Sequence, residues 1–230
     1  MSIQLARAHI LGQAQIRALV ARLVTAAWAG LPGYDEEDVE PFLALAVPVV
    51  LAGQRRSAAL TDAFIAREIG RQPVGIDPAK VTGAAVRNGT PPEQTYRRPF
   101  VNVWSALGAG TGWEDAVSSG LARATSTAEM DVQMASRATY GAVQAADDRI
   151  RGYRRVADGN ACKFCRTING AFVKSAGAMS LHPHCGCGLE AVFYDVEVSP
   201  LPDGVAVHQH SELGAVLGDP AHAFTSLADL

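Results

Sequence analysis

Cys162-Lys-Phe-Cys165, sixteen residues, and then His182-Pro-His184-Cys185-Gly-Cys187 organise the reading of this chain. The stretch contains all four cysteines of a 230-residue sequence. Two thiolates three residues apart hold one metal ion from a tight turn, and a second turn across the gap completes the tetrahedron that zinc prefers. Six potential ligands compete for four places. Cys162, Cys165 and Cys187 are expected to bind, with the fourth ligand drawn from Cys185 and His182. With that many sulfurs the site reads as closed and structural. The competing reading is a set of unpaired cysteines, or disulfides formed in an oxidising medium. The paired spacing favours metal.

Working outward, the residues around the cysteines change character at about Asp147. Ile150-Arg-Gly-Tyr-Arg-Arg-Val156 reads as a strand, and residues 191–198, β-branched and aromatic, as another. A module of some 40 residues with so little core gains stability from a bound metal. Before it, residues 1–146 read as helical. Leu5, Leu11, Ile16, Leu19, Leu23 and Ala27 recur at helical spacing up to a Gly30-Leu-Pro-Gly33 stop. Acidic residues within 35–40 favour the start of a second helix, in which Pro48 should produce a kink or a restart. Residues 71–92 form a proline-rich connector with a short helical piece at 79–87. A third helix is expected over 93–107, ended by Gly108-Ala-Gly-Thr-Gly112. Ser126-x-x-Glu129 has the capping-box form and predicts a new helix start. The predicted architecture is a mainly α-helical body (1–146), a small C-terminal α+β zinc-stapled module (147–198) and an acidic tail (199–230).

Charge is polarised. The net value is −3, yet residues 149–174 carry seven Lys/Arg against Asp158 alone, and residues 175–230 carry seven acids and no Lys or Arg. Such a pattern fits surfaces facing different partners, or each other. Arg151, Arg154 and Arg155, interleaved with Tyr153, Phe164 and Phe172, are the candidates for contact with nucleic acid or a protein partner. The simpler reading is a solvated strand face, or pairing with the acids of 190–229.

The longest uncharged apolar run, residues 42–53, is about half of what a membrane span needs, so no membrane partner is expected. Arg7, His9 and Arg17 interrupt any signal-peptide pattern, and the chain is expected to fold in a cytosol. No H-E-x-x-H, G-x-S-x-G, Walker loop or G-x-G-x-x-G is present, so no catalytic residue is assigned. His210-Ser-Glu212 has the H-x-E form of zinc deaminases, but here the Cys-x-x-Cys ends 45 residues before it rather than following it.

Arg155-Val-Ala-Asp-Gly-Asn-Ala-Cys162-Lys-Phe-Cys165, then Ala171-Phe172, then His182-Pro-His184-Cys185-Gly-Cys187 resembles the C-terminal module of phage minor head proteins, the Mu F-like head morphogenesis family. Residues 207–224 are similar to the ending of such proteins in phages of actinobacteria, where related chains are often labelled capsid maturation proteases. The likeness covers about residues 148–225, and more loosely the helices before. Gly186 stands where the family usually has arginine, and no proline follows Cys187. The resemblance implies a low-copy, non-enzymatic minor capsid protein with structural zinc. It would work in the host cytoplasm during assembly and then in the virion head. Its partners would be the portal, the major capsid or scaffold protein, and packaged DNA. A maturation protease and a zinc-containing nucleic-acid-binding protein are the alternatives.

Overall fold

The computed structural model describes residues 3–179, 185–194, 206–210 and 214–218. The chain is mainly helical, with a small antiparallel sheet beside the cysteines, as the sequence predicts. Helix α1 spans Ile3–Ala29 and buries Ala6, Ile10, Val20, Val24 and Trp28, a stripe at helical spacing. The acids at its far end build a turn. Asp35 accepts from the backbone N–H of Glu37, and Asp38 reaches back to the N–H of Asp35. Helix α2 (Val39–Ile69) follows.

Two expectations about breaks are corrected. Helix α2 runs through Pro48 without restarting, because Phe42, Leu43, Ala46, Val47 and Val50 on both sides of it are buried in one core. The lost hydrogen bond is outweighed by that packing. After α3 (Pro92–Gly108), helix α4 runs from Trp113 to Ala146 with no start at Ser126. An N-cap needs non-helical backbone, and the alanine-rich turns before Ser126 stay helical; Thr125 Oγ1 bonds back to the Leu121 carbonyl at 3.0 Å. The piece expected at 79–87 is two 3-10 turns, Pro78–Lys80 and Gly83–Arg87.

Two units emerge. One comprises Gln15–Ser57 and Asp77–Ala135. Its core centres on Trp28, which meets Phe42 edge-on at 5.4 Å and Phe100 at 5.0 Å between ring centroids. Asp131, buried on α4, accepts from the Tyr96 hydroxyl at 2.8 Å and from Arg87 Nε at 2.5 Å.

The other unit gathers residues 1–14, 58–76 and those from 136 on. Its sheet has the order β2-β1-β3, where β1 is Ile150–Val156, β2 is Phe172–Val173 and β3 is Gly188–Phe193. Strand β3 starts earlier than its apolar residues announce, since Gly188 pairs with Val156 and Leu189 with Arg155. Residues 195–198 of the predicted strand and most of the acidic tail lie outside the described residues. Two strands from the tail, β4 (Ala206–His210) and β5 (Gly214–Gly218), form an antiparallel hairpin. Gly152 is required in β1: a Cβ there would sit 2.3 Å from the Val173 carbonyl oxygen. The core of this unit contains Ile10, Phe64, Tyr140, Tyr153 and Ile168, with a buried polar layer of His9, Gln13, Thr61 and Ser136. Burial lowers the His9 pKa to about 4, so it stays neutral, stacked on Phe64.

Candidate metal centre

Strand β1 carries the chain to Val156, and a turn at Asp158 leads into the short helix α5 (Lys163–Thr167). Asn169 fixes that turn by accepting from the Ala157 N–H at 2.8 Å, and Arg166 ties it further through the Ala161 carbonyl at 2.9 Å. Cys165 therefore points inward from the first turn of α5. Cys185 and Cys187 approach it from the segment that enters β3.

The sulfurs of Cys165, Cys185 and Cys187 all lie within 4.8 Å of one another. Cys165 Sγ and Cys185 Sγ are 3.9 Å apart, far beyond a disulfide bond. A tetrahedral zinc with Zn–S distances of about 2.3 Å separates its sulfurs by ~3.8 Å. The Cys165–Cys185 spacing matches that value, and all three sulfurs are close enough to share one metal ion. Cys165 and Cys185 are buried and Cys187 is partly so, which suits a closed site.

The electrostatics agree with that reading. The Cys165 thiol is pushed up to about 12, chiefly by its hydrogen bond with Cys185, with burial adding to it. Contacts with Cys165 and Cys185 raise the Cys187 thiol further, against a backbone N–H from Asp158 that favours its thiolate. A metal ion binding such a cluster must displace these protons, so its affinity would rise with pH.

Among the described residues, three of the predicted ligands come together. Cys185, considered for the fourth place, belongs to the cluster with Cys165 and Cys187. Cys162 does not. It is exposed and caps α5, its Sγ accepting from the Cys165 N–H at 3.4 Å. His182 and His184 lie outside the described residues.

The three arginines proposed for surface contact separate. Arg154 pairs with Glu190 on β3, Nε to Oε2 at 2.9 Å. Arg151 lies over the Phe172 ring, 5.2 Å from its centroid. Arg155 is corrected outright: it is 2% exposed, so no surface partner can reach it. Its guanidinium faces sulfur, with Nη1 donating to Cys165 Sγ at 3.3 Å and Nε to Met179 Sδ at 3.2 Å. Both faces of β1 carry buried residues, so period-two reading alone does not single out Arg155 as the buried arginine. Arg137 on α4, which bonds the Ala176 carbonyl at 2.9 Å, also acts on Cys185 electrostatically, and no local pattern in the sequence marks it.

Among the described residues no helix is long and apolar enough to cross a membrane. In comparison with known protein families, the model described as VG15 protein matches residues 2–209. No curated protein and no solved structure matches the chain.

Proposed function

The chain belongs to the VG15 protein family, a phage-related viral gene family, and from that premise we propose that it is a minor structural protein of a tailed-phage head. In this reading it associates with the portal and with the major capsid or scaffold protein while the procapsid assembles, and it remains in the virion. The cysteine cluster is its structural zinc site. The observation that carries the reading is the three-sulfur cluster, set in a chain whose family match runs almost from end to end.

Zinc is the ion of choice because thiolate ligands in tetrahedral array select it over the hard cations, which prefer oxygen. Cys165, Cys185 and Cys187 would hold it, with His182 or Cys162 completing the shell. Bound there, the ion joins α5 to the start of β3 and adds its binding energy to the folding of the sheet. That is a scaffold's use of metal: a rigid small module carried on a helical body, ready to be fixed in an assembly.

Intact-protein mass spectrometry of purified virions tests the role. The reading expects this chain at full length and low copy, retained with the portal when heads are dissociated. Its absence from virions, together with a major capsid protein that keeps its full N-terminus, would overturn it. A missing or clipped chain with a trimmed major capsid protein would favour a maturation protease instead.

A further inference from the structure

We propose that Arg155 is a positioning residue of the metal centre, holding and neutralising the thiolates by N–H···S hydrogen bonds from a buried guanidinium. This inference rests on the zinc reading above. Its backbone is locked on both sides: Arg155 N–H donates to the Ala171 carbonyl at 3.1 Å, Gly170 N–H donates to the Arg155 carbonyl at 2.8 Å, and Leu189 is its partner on β3. The side chain is thereby delivered to one place. Nη1 reaches Cys165 Sγ at 3.3 Å and Cys185 Sγ at 3.8 Å, while Nε bonds Met179 Sδ at 3.2 Å.

The chemistry of the acceptors explains the arrangement. A thiol or thioether sulfur is a weak acceptor, whereas a thiolate is an anionic one, and hydrogen bonds to a charged group are about twice as strong. A cation at 2% exposure is costly unless negative charge stands close to it. Three thiolates around one divalent ion leave a net charge of −1, which a single guanidinium cancels; a fourth thiolate would leave −2. Arg137, coupled electrostatically to both Arg155 and Cys185, is placed to offset the remainder. One nitrogen, Nη1, faces both cysteine sulfurs while Nε is held by Met179 Sδ, so the planar guanidinium is fixed in orientation as it meets them. A lysine ammonium, a point donor on a flexible stem, keeps the charge but lacks the second nitrogen that Met179 anchors.

The test compares full-length wild type, Arg155→Met and Arg155→Lys, each purified with zinc. Competition with a chromophoric chelator should show zinc held roughly ten- to a hundredfold more weakly in R155M, the range for losing an outer-shell partner, with R155K in between. Cobalt(II)-loaded samples give a second readout. Loss of N–H···S bonds raises the sulfur lone pairs in energy, so the thiolate-to-cobalt charge-transfer bands should move to longer wavelength in both variants. If R155M fails to fold, R155K alone decides, through its affinity and its band position. Wild type that binds zinc, beside variants with unchanged affinity and unchanged bands, would overturn the role of Arg155 and leave the zinc reading standing. Wild type without zinc would overturn the zinc reading itself, and this proposal with it.

Discussion

The Tyr140 hydroxyl donates to the Leu189 carbonyl at 2.8 Å, joining α4 to β3 two residues after the last cysteine of the cluster. Tyr140 is itself held, since its own carbonyl accepts from the Tyr153 hydroxyl at 2.5 Å. The helix thus sets the position from which Cys187 enters the site. Tyr140→Phe keeps the ring and its edge contact with Tyr153, 5.0 Å between centroids, but leaves a buried carbonyl unpaired. The expected cost is about 1–3 kcal/mol, read as a lower urea midpoint with an unchanged slope.

Much of this was legible in the sequence, and the failures have local causes. Strand β1 was read with its full bounds because Ile150, Tyr153 and Val156 are good strand formers before an obvious turn. The cysteine spacing gave the two halves of the cluster, yet not its membership: whether Cys162 or Cys185 faces inward depends on the cap geometry of α5, which spacing does not encode. Arg154 and Arg155 look alike as charges, and only strand alternation sends one to Glu190 and the other to sulfur. The Ser126 cap and a restart at Pro48 are local signals overruled by packing. The contribution of Ile10, which would meet a Cβ on Gly188 at 2.7 Å, is a contact across the length of the chain that no window of sequence shows.

Glu68 gives the fold a pH dependence. It is buried on α2, accepts from the Ala191 N–H at 3.2 Å, and burial raises its pKa to about 8, with Glu190 pushing the same way and Arg154 opposing. A carboxyl whose folded pKa is raised is bound to its proton in the fold and ionised in the unfolded chain. Its penalty is therefore absent below the unfolded value near 4.5, grows through the interval, and levels off above about 8. Glu68→Gln removes the penalty and can still accept from Ala191. Thermal melts should show the variant more stable than wild type at pH 8, by on the order of a few kcal/mol, with the gap closing towards pH 5.

Gly186 is where a side chain would disturb the metal centre. A Cβ there would fall 1.7 Å from Asp158 Oδ2, and the Asp158 N–H is a donor to the Cys187 sulfur. Gly186→Ala must turn the Asp158 carboxylate aside, next to the backbone N–H that bonds Cys187. A cost of about 1–3 kcal/mol is expected, together with faster zinc release to a chelator.

Asp131 anchors the other unit. Removing it by Asp131→Ala strands the buried Tyr96 hydroxyl and takes the carboxylate from Arg87, whose side chain is 26% exposed. Because Arg87 can turn to solvent, the loss should fall at the low end for a broken buried pair, about 3 kcal/mol in chemical denaturation. Zinc content of the folded protein should not change.

Native mass spectrometry of the purified full-length chain, before and after a strong chelator, reads the metal centre directly. A mass increase of one zinc per chain is expected, lost in Cys165→Ser, Cys185→Ser and Cys187→Ser, with a lower melting temperature once the ion is removed. Cys162→Ser separates the two candidates for the fourth place: metal lost as fully as in these three assigns Cys162, and metal retained assigns His182. A chain that flies at its bare mass and melts identically with and without chelator would contradict the account.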